Sequence, residues 1–119
     1  MENKHEVIYF AYIDKNPVKE FIAGLDINQQ TKIFRLFRLI ANYGINSIPQ
    51  HTRKITNTPL WEIRILGNDN IRIIYIITKK QNILILHGFI KKTRKTEMKE
   101  IQNAIRRLKE WSRAINIDK

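Results

Sequence analysis

The sequence predicts an α+β fold: a small antiparallel sheet, made of an N-terminal strand and a three-strand meander, with an N-terminal helix pair and a C-terminal helix. Three observations predict it. Apolar spacing is helical between Val18 and Ile40 and again after Thr96, but strand-like between Leu60 and Phe89. Two polar clusters, Gly67-Asn68-Asp69-Asn70 and Lys79-Lys80-Gln81-Asn82, divide that strand-like stretch at hairpin spacing. The 119 residues are 43% hydrophobic with only 4 glycines and 3 prolines, so residues 1–119 read as one ordered domain with room for a core.

The elements follow in order. Val7-Ile8-Tyr9-Phe10-Ala11-Tyr12 is β-branched and aromatic, as a strand is. Asn16-Pro17 supplies an N-cap and a first-turn proline, and Val18, Phe21, Ile22 and Leu25 form one face of a short helix. Gly24 and Asp26 break it from a longer helix striped by Ile33, Leu36, Phe37 and Ile40, which stops at Tyr43-Gly44. Residues 45–59, with Pro49 and Pro59, read as an irregular loop carrying His51, Arg53 and Lys54. Strands follow at 60–66, 71–78 and 83–89. The last helix is expected from about Thr96 to Arg113, with Ile101, Ala104, Ile105, Leu108 and Trp111 or Ser112 inward, and Lys99, Arg106, Arg107, Lys109 and Arg113 mostly outward. All the helices are expected on one face of the sheet.

Charge points to a partner. The chain has 22 Lys+Arg against 11 Asp+Glu, a net charge of +11, and most of the excess lies in residues 61–119. So large a charge repels itself, and a polyanion is the common reason to tolerate it. Apolar runs such as 73–77 are strand-length, so no membrane association is expected. Without a signal peptide at the N-terminus and without cysteine, the chain reads as cytoplasmic.

The chemistry-bearing residues are basic. Lys91-Lys92-Thr93-Arg94-Lys95 sits between a strand and a helix, where ammonium groups and backbone N–H groups can face a run of phosphates. Arg64 and Arg72 each stand between isoleucines inside strands. A three-residue hairpin loop, closed by residues 66 and 70, places them directly opposite each other, with Glu62 a candidate carboxylate between them. A four-residue loop places them on opposite faces. His87 lies in the last strand near the basic loop, and Tyr75 shares a strand with Arg72, on the other side if the strand is regular. His5, His51 and His87 have no metal-ligand spacing, so neither a metal nor a cofactor is expected. There is no Gly-rich phosphate loop, no GxSxG and no cysteine nucleophile.

The strings Leu60-Trp61-Glu62-Ile63-Arg64, Ile71-Arg72-Ile73-Ile74-Tyr75 and Leu86-His87-Gly88-Phe89-Ile90-Lys91-Lys92-Thr93-Arg94-Lys95-Thr96, then Glu100-Ile101 and Ala104, together resemble the phage-derived branch of RelE/HigB-like toxins. The resemblance spans about residues 50–108. It implies a RelE-like fold and a type II toxin that cuts mRNA, usually in the ribosomal A site, and is silenced by a helix-turn-helix antitoxin. Carried over residue by residue, it implies catalytic roles for Arg64, Arg72, Lys91, Lys92, Lys95, His87 and Tyr75. Arg53, Lys54, Arg94 and Lys99 are further cations expected to contact RNA. Glu97 stands where the family usually has proline. Under this reading Arg64 and Arg72 hold the scissile phosphate, and one of Lys91, Lys92 or Lys95 transfers a proton. Two rival readings share these features: a ParE-like toxin that poisons gyrase, and a non-catalytic nucleic-acid-binding module.

Overall fold

Asn16 and Asp26 start the first two helices as their side-chain chemistry dictates. In the computed structural model, which describes residues 5–65, 67 and 70–117 (side chains of 94–96 and 115–117 excepted), Asn16 Oδ1 accepts from the Lys19 N–H at 3.1 Å, capping helix α1, Pro17–Ala23. Asp26 and Gln29 form a reciprocal capping box at the start of α2, Ile27–Tyr43. Gly44 ends that helix at φ +85°, a conformation that suits glycine.

Strand β1 is Val7–Tyr9, shorter than the apolar run that predicts it. The loop expected at 45–59 contains a 3-10 turn, Ile45–Ser47, and a short strand β2, Thr52–Lys54. Strands β3 (Trp61–Arg64), β4 (Ile71–Ile77) and β5 (Ile83–Ile90) form the expected meander, and α3 (Arg94–Ile117) extends the predicted helix at both ends. The sheet order is β1-β5-β4-β3-β2, and β1 runs parallel to β5. The sheet is therefore mixed rather than purely antiparallel. A parallel partner requires a crossover, and α1 with α2 makes it.

The helices cover both faces, which corrects the one-face expectation. Val18, Ile22, Ile33, Leu36, Phe37 and Ile40 pack with Ile63, Ile73, Tyr75, Ile83 and Ile85 on one side. Ile101, Ala104, Ile105, Leu108 and Trp111 of α3 pack with Leu60, Ile74, Leu84, Leu86 and Phe89 on the other. The reason is chemical: β4 and β5 carry isoleucine or leucine on both faces, and each face needs its own cover. Among the described residues no helix is long and apolar enough to cross a membrane.

Two local features position the site. A bulge between Ile74 and Tyr75 leaves Leu86 unpaired, since Ile74 stands opposite His87 and Tyr75 opposite Ile85. Leu86 and His87 both reach toward α3 as a result. Gly88 then faces α1, where a Cβ would lie 2.5 Å from Phe21 Cδ2, so a larger residue would push the helix off the sheet.

Candidate nucleic-acid interface

The strand register gathers charge at one corner of the sheet. Arg64 pairs with Arg72, and the Ile65 N–H donates to the Ile71 carbonyl at 3.1 Å, which is the arrangement of the shorter hairpin loop. Arg53 pairs with Glu62 in the same way on the outer strands. Because side chains alternate along a strand, Glu62 and Arg64 share a face, and Arg53 and Arg72 join them across the ladder. It is the face covered by α3, whose apolar residues stop short of this corner. His51 fixes the neighbouring backbone: the Arg64 N–H donates to the His51 carbonyl, and His51 Nδ1 bonds back to the Arg64 carbonyl at 3.1 Å.

Glu62 lies at the centre, with no exposed surface. Arg53 Nη2 donates to its Oε1 at 3.5 Å, and Arg72 Nε lies 3.7 Å from the same oxygen. Arg72 is itself buried and donates from Nη1 to the Ile71 carbonyl at 3.1 Å, while Arg64 is exposed. Above them, Glu97 in the first turn of α3 sits 3.8 Å from Arg53 and 3.3 Å from Lys91.

The two carboxyls shift each other's titration in opposite directions. Burial pushes the Glu62 pKa up, and so do the hydrogen bond to Glu97 and its charge, against the pull of Arg53 and Arg72. For Glu97, burial is outweighed by the hydrogen bond from Glu62 and by Lys91 and Arg53, and its pKa falls. Burial lowers the Arg72 pKa and the neighbouring Arg64 adds to this, while Glu62 opposes it. The corner thus gathers the four cations Arg53, Arg64, Arg72 and Lys91 around two carboxyl groups, a net positive surface suited to an anion.

Tyr75 and Lys54, also singled out in the sequence, lie on the opposite face of the sheet. Tyr75 is fully buried on the opposite face, stacked on Trp61 and hydrogen-bonded to Thr52 Oγ1; burial raises its pKa to about 12. It is a core residue facing α1 and α2. Lys54 lies on the Tyr75 side, its Nζ 5.3 Å from the Trp61 ring centre. Lys92 and Lys99 are exposed, and the side chains of Arg94 and Lys95 lie outside the described residues.

His87 shares the face of Glu62 but is separated from it by the Ile74 strand position. Both of its ring nitrogens are engaged. Nε2 hydrogen-bonds the Glu100 carboxylate, and Nδ1 accepts from Arg107 Nη1 at 2.9 Å. Arg107 also donates to the Leu86 carbonyl at 2.9 Å and stacks over Phe10. Arg107 is thus turned inward, contrary to the outward position expected from its helix, because the bulge presents a carbonyl and an imidazole to it. These contacts fasten α3 to β5.

Burial is the largest influence on His87 and lowers its pKa, outweighing the opposing pull of Glu100. A histidine held below its unfolded value of about 6.5 contributes stability above that pH, and the contribution is lost as pH falls through the folded value. Wild-type protein is therefore expected to lose more thermal stability than His87→Gln between about pH 7.5 and 5, measured as the difference in Tm. Parallel profiles would show that His87 does not titrate in this way.

Glu97, Glu100 and Arg107 were not among the sequence-derived candidates. Glu97 had one visible signal, its place at the usual proline position, and Glu100 falls among the residues that carry the family resemblance; Arg107 had none beyond its spacing on the helix. Two grooves of about 550 and 310 Å³ lie elsewhere, lined by residues of β1, α1 and α2.

Residues 20–109 match the family described as phage derived protein Gp49-like (DUF891). A comparison with curated proteins gave no match.

Proposed function

The chain belongs to the phage-derived Gp49-like family, a toxin-like family related to RelE and HigB, and from that premise we propose that it is the toxin of a type II toxin–antitoxin pair, a metal-independent endoribonuclease acting on mRNA at the ribosome. The observation that carries this reading is the Arg64–Arg72 register pair on one face, beside Arg53 and Lys91. Two guanidinium groups side by side repel each other, and an anion between them relieves that repulsion.

Cleavage proceeds by attack of the ribose 2′-oxygen on the adjacent phosphorus, with loss of the 5′-oxygen. The 2′-hydroxyl gives up its proton, the 5′-oxygen gains one, and a 2′,3′-cyclic phosphate and a 5′-hydroxyl result. Negative charge grows on the phosphoryl oxygens in the transition state, and prearranged guanidinium groups stabilise it more than the ground state. In this assignment Arg64 and Arg72 hold the phosphate. Lys91, at the mouth of the cluster, is the group placed to move a proton. His87 is not assigned to proton transfer, because both its nitrogens are engaged. The partner is a helix-turn-helix antitoxin whose acidic segment lies over the same basic face.

The test is incubation of the purified protein with translating ribosomes, followed by primer extension on the message. Defined cuts within codons are expected. Intact message with inhibited gyrase supercoiling would replace this reading with gyrase poisoning, and salt-sensitive RNA binding without cuts would replace it with a binding module.

A further inference from the structure

We propose that Arg53 and Lys91 form a subsite for one RNA phosphodiester, and that in the RNA-free protein the Glu97 carboxylate occupies this subsite as an internal competitor. The inference rests on the RNA-directed reading above. Glu97 presents one oxygen to each cation: Oε1 lies 3.8 Å from Arg53 Nη2, and Oε2 lies 3.3 Å from Lys91 Nζ. The two non-bridging oxygens of a phosphodiester make the same demand on a pair of cations.

The contact is built to yield. The side chains of Arg53 and Lys91 are 55% and 29% exposed, so solvent screens both pairs, and the Arg53 contact is long. Beneath lies Glu62, fully buried between Arg53 and Arg72, and the buried Arg72 Nε has no hydrogen-bond acceptor. These inward-facing groups keep the corner polar when the carboxylate leaves. The N-terminal turn of α3 supplies the movable anion, because Glu97 is its acidic residue. When Glu97 swings out, the outer cations Arg53 and Lys91 face the RNA.

Glu97 thereby sets RNA affinity without touching the reacting atoms. Glu97→Gln keeps size and helix compatibility but removes the competing charge. It is expected to bind a 2′-O-methyl single-stranded RNA, which cannot be cut, about three- to tenfold more tightly than wild type in fluorescence anisotropy. The slope of log affinity against log salt should steepen by about 0.7, one added phosphate contact on a single strand. Arg53→Gln in the Glu97→Gln background should erase the gain.

Equal or weaker binding by Glu97→Gln, absence of RNA binding by both proteins, or a gain that survives both Arg53→Gln and Lys91→Gln would overturn the inference. Circular dichroism checks folding. Should Glu97→Gln fail to fold, Glu97→Asp, whose shorter reach weakens the same contacts, is expected to show a smaller gain, and its absence would count against the inference equally. Cleavage is scored separately on an unmodified message. Tighter binding without cleavage keeps the Glu97 assignment and removes the endoribonuclease reading; cleavage without tighter binding does the reverse.

Discussion

Replacing Arg64 and Arg72 together with alanine is expected to abolish growth arrest and to lower message cleavage by about 10³-fold or more. Removing one prearranged donor from a developing oxyanion costs on the order of 10²- to 10³-fold in rate, and this change removes two guanidinium groups. The single variants separate chemistry from folding. Arg64 is exposed, so Arg64→Ala should leave Tm within a few degrees of wild type while cleavage falls about 10²-fold. Arg72 is buried beside Glu62, so Arg72→Ala should cost both rate and stability. A double variant that arrests growth and cuts RNA like wild type would remove both arginines from the site.

The largest stability effect is expected at Tyr75. Its side chain is fully buried between the sheet and the helix pair, and Tyr75→Ala should destabilise the protein by about 3–5 kcal/mol, the range for deleting a large core ring. Small domains have about 5–15 kcal/mol in total, so the variant should melt far below wild type in a thermal or urea titration. Tyr75→Phe keeps the ring and loses the hydroxyl contact with Thr52, a cost of about 1 kcal/mol. It should cut RNA within about threefold of wild type. A collapse of cleavage in a folded Tyr75→Phe would return the hydroxyl to the chemistry and contradict its placement on the far face.

Caps, turns and apolar spacing are local, and most of the fold was readable from them. Asn16-Pro17, Asp26 and Gly44 mark helix ends through contacts a few residues long, and each lies where those rules put it. The hairpin clusters at 67–70 and 79–82 likewise separate the three meander strands; Asn68 and Asp69 lie outside the described residues. Strand β2 was not readable, because three polar residues at a sheet edge, one half-buried and two exposed, carry no alternating apolar pattern. The apolar runs of β4 and β5 held the sign that both faces are covered, since neither alternates cleanly.

The basic corner divides along the same line. Its ingredients, from Arg53 to Glu97, and its excess charge are properties of the sequence alone. Tertiary structure decided which of them meet. The register that sets Arg64 against Arg72 depends on strand pairing, and a slip of one residue would have sent one arginine to the opposite face. The bulge beside Ile74 committed His87 to Glu100 and Arg107, and the docking of α3 brought Glu97 over Arg53 and Lys91. Spacing along the chain specifies which residues can form a helix or strand; contact between distant residues is fixed only when apolar faces choose their partners.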